Sequence, residues 1–242
     1  MEIKFNIFRT NRQDHSRYVQ KILFEIEDEN ATVATALTKI NETQNLRDED
    51  ENEVMPIVWE CNCLQKKCGA CAMVINGRPA LACSVKLRDA KKGQITLEPL
   101  RKFPVIEDLM VDRSILYENL KQMQVWLKEA ARKESIDYDM AYEGSRCLQC
   151  GCCLEVCPNF YAEGTFSGMA AFIPTARLLS EMKEDQRKEI YATYRRHIYE
   201  GCGKSLACRN ICPAGIDIDR LLVKSNAMAI WKRGKREQRS KE

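Results

Sequence analysis

The chain has 242 residues, 13 cysteines and two histidines, with 45% hydrophobic and 30% charged residues and a formal net charge of +3. That length suits one or two domains, the near-balanced charge excludes nucleic-acid binding by bulk electrostatics, and two histidines exclude a multi-histidine zinc or copper site. An odd cysteine count excludes complete disulfide pairing, the opening MEIKFNIFRTNRQDHSR carries no apolar leader core, and no stretch approaches about 18 uncharged apolar residues. The expectation is a reduced, cytosolic chain whose cysteines bind metal.

In chain order, Ile3, Phe5 and Ile7 alternate with polar residues and predict a half-buried strand. Tyr18, Ile22, Phe24 and Ile26 continue an alternating pattern in a second strand. Asn30 is placed to cap a short helix whose Val33, Leu37 and Ile40 share a face. The acidic stretch 48–53 reads as a solvated loop. Asn76-Gly77 between apolar runs signals a hairpin, and residues 94–100 read as a last strand. Residues 1–105 therefore predict a small α+β sheet domain. From 106 onward the pattern is helical. Ile115, Leu116, Leu120, Met123 and Leu127 share one face of a helix over 112–130, and 175–200 and 218–233 are helix-rich. The division falls near Pro104.

The cysteines cluster along this frame. Cys63, Cys68, Cys71 and Cys83 follow C-x4-C-x2-C with a fourth thiol eleven residues on, the plant-type [2Fe–2S] spacing. Gly69 and Ala70 are small enough to let backbone N–H groups approach sulfide. A zinc ribbon would need a second C-x2-C partner that this half lacks. Cys61 lies outside the pattern and reads as a spare, partly buried thiol.

Cys147, Cys150, Cys153 and Cys157 with Pro158 form C-x2-C-x2-C-x3-C-P, the bacterial ferredoxin run whose fourth cysteine ligates a paired cluster. The partner run is Cys202, Ser205, Cys208 and Cys212 with Pro213, with serine at its second position. Crossover ligation then assigns Cys147, Cys150, Cys153 and Cys212 to a [4Fe–4S] cluster. Cys157, Cys202 and Cys208 remain for the other. A cubane short of one thiolate loses that iron, which predicts [3Fe–4S]; a Ser205-ligated [4Fe–4S] cluster is the rival reading. Cys152 stands between two ligands and reads as packing.

At these residues the chain resembles the iron–sulfur subunit of the succinate dehydrogenase / fumarate reductase family. The ligand order and the missing fourth cysteine match, as do FPVIEDLMVDRS (103–114), the family's interdomain segment, and CAMVINGRPALAC (71–83). NCLQKKCGAC and CGKSLAC resemble most the Gram-positive, menaquinone-type members. The resemblance implies an N-terminal β-grasp, ferredoxin-like domain (1–105) and an α-helical ferredoxin domain (106–242). It implies three clusters conducting electrons between the FAD of a flavoprotein subunit and a quinone, menaquinone favoured, at a membrane anchor of cytochrome b type. The chain would then sit peripherally on the cytoplasmic face of a bacterial membrane. It would carry electrons without a dicarboxylate site, in keeping with the absence of any G-x-G-x-x-G fingerprint.

Two departures concern the quinone. Many ubiquinone-linked members have tryptophan where Ala162 stands and histidine where Gly203 stands, so no quinone contact carries over. A fumarate reductase with a soluble donor, or a stand-alone ferredoxin-like carrier, are the alternatives. The tail 232–242 holds six basic and two acidic residues, either a solvated end or an attraction to anionic headgroups.

Overall fold

A computed structural model describes residues 1–28, 30–90, 93–129 and 136–231. The chain divides into two compact units, Met1–Arg113 and the remainder from Ser114. The basic tail 232–242 lies outside the described residues.

The first unit is a five-stranded mixed sheet. Its strands are β1 (Glu2–Thr10), β2 (Arg17–Glu25), β3 (Ala72–Ile75), β4 (Arg78–Leu81) and β5 (Gln94–Glu98), in spatial order β2-β1-β5-β3-β4. β1 runs parallel to β5 and antiparallel to β2, while β3 pairs antiparallel with β4 and β5. In β1 the alternation buries Ile3, Phe5 and Ile7, and Arg9 continues the same face. β2 buries Gln20 and Ile22, whereas Tyr18 stays 45% exposed on this edge strand. Asn76 and Gly77 both take positive φ, 50° and 77°, which suits a type I′ hairpin between β3 and β4.

Helix α1 (Val33–Glu42) buries Val33, Ala34, Leu37 and Ile40. Its cap is Thr32, not Asn30. Thr32 Oγ1 accepts the Thr35 N–H at 3.2 Å and Thr35 closes the capping box. Asn30 lies too far upstream and instead accepts Arg88 Nη1 at 3.1 Å. A short hairpin, β6 (Val105–Glu107) and β7 (Met110–Val111), follows the sheet.

The second unit is helical: α2 (Ser114–Gln122), α3 (Tyr138–Ser145), α4 (Cys152–Glu155), α5 (Gly168–Glu181), α6 (Glu184–Tyr194) and α7 (Ile218–Asn226). The helix expected over 112–130 stops at Gln122, because Gln124 turns left-handed at φ 49°. Helix α5 is buried on nearly every side and packs against α2, α3, α4 and α7. Its close crossing with α3 needs Gly144, since a Cβ there would lie 2.6 Å from Arg177 Cβ. π-helical turns extend α6 (Arg195–Tyr199) and α7 (Ala227–Trp231). Among the described residues no helix is long and apolar enough to cross a membrane.

Candidate metal centres

In the first unit, the loop before β3 carries Cys63, Cys68 and Cys71, and Cys83 follows β4. Leu64, Lys66 and Gly69 take left-handed φ of 53°, 59° and 77°. Left-handed residues spaced along a loop turn successive N–H groups to one side and build an anion-binding concavity. Here it faces sulfur. Cys63 Sγ accepts the N–H groups of Gln65 at 3.4 Å and Lys67 at 3.3 Å, and Cys83 Sγ accepts that of Lys66 at 3.3 Å. The N–H groups of Gln65 and Lys67 bring the Cys63 thiol down to about 7. Cys71 and Cys83 place their sulfurs 3.4 Å apart, close to the ~3.7 Å expected for two thiolates on one tetrahedral metal. Cys71 is buried, and that burial pushes its thiol up to about 12. Cys61 is exposed and outside these contacts.

The loop is braced from elsewhere in the unit. Asp108 Oδ2 accepts the Val58 N–H at 2.9 Å, and Arg9 Nη2 donates to Met55 O and Pro56 O at 3.1 and 3.2 Å. Arg9 and Asp108 form a buried ion pair of 3.1 Å. Arg113 donates to the carbonyls of Gly69 and Ala70 at 3.2 and 2.7 Å. Neither arginine belongs to a cysteine spacing motif; Arg9 continues the alternation of β1 and Arg113 lies in the 103–114 segment.

In the second unit two cavities gather the remaining thiols. One is lined by Cys147, Cys150, Cys153 and Cys212, with Leu148, Ala170, Ile173 and Ile216 as apolar walls. Burial pushes the Cys147 thiol up to about 11 and the Cys153 thiol well above its ordinary value. Pro174 sits inside α5 and has no N–H, which frees the Ala170 carbonyl four residues earlier. Gln149 Nε2 donates to that carbonyl at 2.9 Å and to Cys147 Sγ at 3.1 Å. A helix irregularity thereby locates a sulfur-facing amide.

The other cavity is lined by Cys157, Cys202 and Cys208, with Ser205, Asn159 and Met169. Burial raises the Cys208 thiol to about 11. A Cβ at Gly203 would meet Asn159 Nδ2 at 3.0 Å, so that amide, which donates to Gly201 O at 2.9 Å, would have to give way by a few tenths of an ångström. Beside Cys202 lies a larger cavity of about 260 Å³, walled by Ile198, Leu206, Leu222, Val223 and Trp231, with Tyr199, Lys204 and Asp219 at its polar points. Both π-helical turns contribute to it, and such turns recur at functional sites. Cys152 is fully buried on α4 and is not among the thiols lining either cavity.

Thiols surrounding a cavity suit a cluster, whose irons keep the ligands apart, better than a mononuclear ion. Among the described residues no group of three or more His, Cys, Asp or Glu side chains is arranged to hold a single metal ion. Burial also opposes thiolate formation, so the ionised ligands need a cation to offset their desolvation.

Two domain families match the chain. A 2Fe-2S iron-sulfur cluster binding domain matches residues 4–118, and a 4Fe-4S dicluster domain matches residues 143–216. The succinate dehydrogenase iron-sulfur subunit of Bacillus subtilis is 35% identical over 230 residues, covering 89% of this chain and 88% of its own length. The fumarate reductase iron-sulfur subunit of Wolinella succinogenes is 30% identical over 230 residues, covering 87% and 91%. A chain of the Mycobacterium smegmatis Sdh1 complex in the apo form shares the fold, with a TM-score of 0.71 at 22% identity over 94% of this chain and 95% of that one. With its [2Fe–2S] ferredoxin-like sheet domain and helical [4Fe–4S] domain, the chain belongs to the iron–sulfur subunits of succinate dehydrogenase and fumarate reductase, the electron-transfer component of that oxidoreductase.

Proposed function

We propose that the chain conducts electrons between the FAD of a flavoprotein subunit and a quinone, menaquinone favoured, at a cytochrome b-type membrane anchor. In this reading it works on the cytoplasmic face of a bacterial membrane through three iron–sulfur clusters. Cys63, Cys68, Cys71 and Cys83 hold [2Fe–2S]. Cys147, Cys150, Cys153 and Cys212 hold [4Fe–4S]. Cys157, Cys202 and Cys208 hold [3Fe–4S]. The observation that carries the reading is the sorting of the second unit's thiols into two cavities, four around one and three with Ser205 around the other. We also propose functional domains of 1–105 and 106–242, with 103–114 as the connecting motif.

When bound, the clusters supply one-electron redox chemistry. The chain's own residues ligate, orient and shield. Thiolates from two separated segments close each site. Backbone N–H groups of Gln65, Lys66 and Lys67, and the Gln149 amide, direct positive dipole at ligand sulfur. Such hydrogen bonds favour the reduced, more negative cluster and tune its potential upward. Leu148, Ile173 and Ile216 keep water from the four-thiol cavity. The apolar cavity beside Cys202 supports an exit toward a flat, apolar acceptor at the three-thiol end.

Low-temperature EPR of the anaerobically purified complex tests the reading. Three signals are expected, one from an oxidised three-iron centre. A Ser205→Cys chain is expected to convert that centre to four irons and to lower its potential. Absence of the three-iron signal in intact enzyme, or its persistence in Ser205→Cys, overturns the third assignment. Activity confined to the soluble fraction overturns the anchor.

A further inference from the structure

Near its end, the 103–114 motif carries a side chain that grips the first ligand loop. Arg113 Nη1 donates to Gly69 O at 3.2 Å, and Nη2 donates to Ala70 O at 2.7 Å and Ala72 O at 3.4 Å. Nη2 also lies 2.9 Å from Glu60 Oε2, and the Arg113 side chain is only 13% exposed. One guanidinium thus spans both flanks of the loop: Glu60 before Cys63, and the Gly69–Ala72 backbone around Cys71. Farther back along the same motif, Leu109 N–H donates to Val58 O at 3.1 Å, and Asp108 accepts the Val58 N–H. The motif therefore holds the incoming arm of the loop at Val58 and its outgoing arm at 69–72.

The peptide geometry gives the grip a direction. In a trans peptide the C=O and the following N–H point to opposite sides. There are no cis peptide bonds among the described residues. Carbonyls of Gly69 and Ala70 turned to Arg113 leave the N–H groups of Ala70 and Cys71 turned away from it. A planar five-donor fork can hold several carbonyls at once; a lysine ammonium cannot reproduce that geometry. The charge matters separately. A part-buried, permanently ionised guanidinium beside the ligand loop favours the state carrying one more electron, and Glu60 partly offsets it.

We propose that Arg113 is a positioning residue for the first redox centre, fixing the Cys68–Cys71 turn through its carbonyls and, opposed by Glu60, raising the potential of the cluster held there. The proposal rests on the assignment of [2Fe–2S] to Cys63, Cys68, Cys71 and Cys83.

The test is an EPR-monitored redox titration of the cluster-loaded full chain, with iron content measured alongside. For Arg113→Met, the reduced-to-oxidised ratio at the wild-type midpoint is expected to fall about tenfold, a shift of ~59 mV for one electron. Arg113→Lys keeps charge and loses the fork, so a smaller fall and a broadened signal are expected. Glu60→Gln removes the opposing charge and is expected to move the midpoint upward. An unshifted midpoint in an iron-replete Arg113→Met chain overturns the proposal. So does a downward shift, or none, in Glu60→Gln, which keeps the question decidable if Arg113→Met fails to retain iron. A wild-type chain without a [2Fe–2S] signal instead removes the ligand assignment, and the proposal with it.

Discussion

Cys63 and Cys208 are both proposed iron ligands, yet the chain prepares them in opposite ways. Around Cys63 the backbone does the work. A loop with left-handed residues at 64, 66 and 69 aims N–H groups at a half-exposed sulfur and draws its thiol down to about 7. Around Cys208, and around Cys147 and Cys153, burial dominates and drives the thiols up. The first unit preorganises a thiolate before metal arrives; the second leaves it to the metal to offset the cost of an ionised sulfur in an apolar cavity. The contrast is graded within the first loop, since Cys71 is buried and pushed up to about 12. The loop therefore has an open edge at Cys63 and a closed one at Cys71.

The largest predicted effect separates the two preparations directly. A thiol with a pKa near 7 is about 90% thiolate at pH 8, whereas one near 11 is about 0.1%. In the chain before cluster loading, iodoacetamide at pH 8 is expected to modify Cys63 much faster than Cys147 or Cys208, read by peptide mass spectrometry. Its far larger ionised fraction is only partly offset by the lower nucleophilicity of a low-pKa thiolate. The Cys63 rate should reach half its plateau near pH 7, because the thiolate forms as pH rises through its pKa. Equal rates, or a Cys63 midpoint near the ordinary 8.5 of a free thiol, would remove the preorganisation.

The next effect isolates the first unit's frame. Asp108 is buried, pairs with Arg9, and accepts the N–H groups of Thr10 and Val58 at 2.8 and 2.9 Å. Removing one partner of a buried ion pair costs about 3–5 kcal/mol because the other charge stays uncompensated. Asp108→Ala should lower the urea midpoint for loss of the [2Fe–2S] signal while leaving the signals of the second unit near their wild-type midpoints. Parallel loss of all signals would mean that the two preparations share one frame.

The smallest effect concerns the second unit. Asp137 caps α3 by accepting the Met140 N–H at 3.0 Å and pairs with Lys224 of α7. Lys224, followed by that backbone bond, holds its carboxyl below the ordinary value. A depressed carboxyl contributes stability that is full above the unfolded pKa of about 3.9 and is lost as pH falls through the folded value. Because the pair is partly exposed, Asp137→Asn should cost under about 1 kcal/mol in urea unfolding, with the same cost at pH 7 as at pH 5. A cost that changed between those pH values would contradict the sign of the shift.

Much of the molecule was legible in one dimension because its signals are local. Alternation in β1, the Asn76-Gly77 turn and the apolar face of α1 each depend on residues a few positions apart. Cysteine spacing predicts which thiols neighbour one another, because each run wraps within a turn or two and the duplicated pattern implies an exchange of fourth positions. Local signals also misled. Asn30 has the chemistry of a cap but not the position, which Thr32 holds through Thr35. The apolar periodicity through Leu127 continues past Gln122, where the left-handed backbone at Gln124 ends α2.

What the fold alone decided are pairings across long stretches of chain. Arg9 meets Asp108, Arg113 meets Gly69, Gln149 meets the Ala170 carbonyl that Pro174 leaves free, and Asn159 fills the space over Gly203. None of these pairings has a periodicity or spacing to announce it, since a hydrogen bond between distant residues leaves no pattern along the chain. The proposed ligands are candidates that short sequence spacing can suggest. The orientation, charge and dryness around each ligand come from partners that only folding brings within reach.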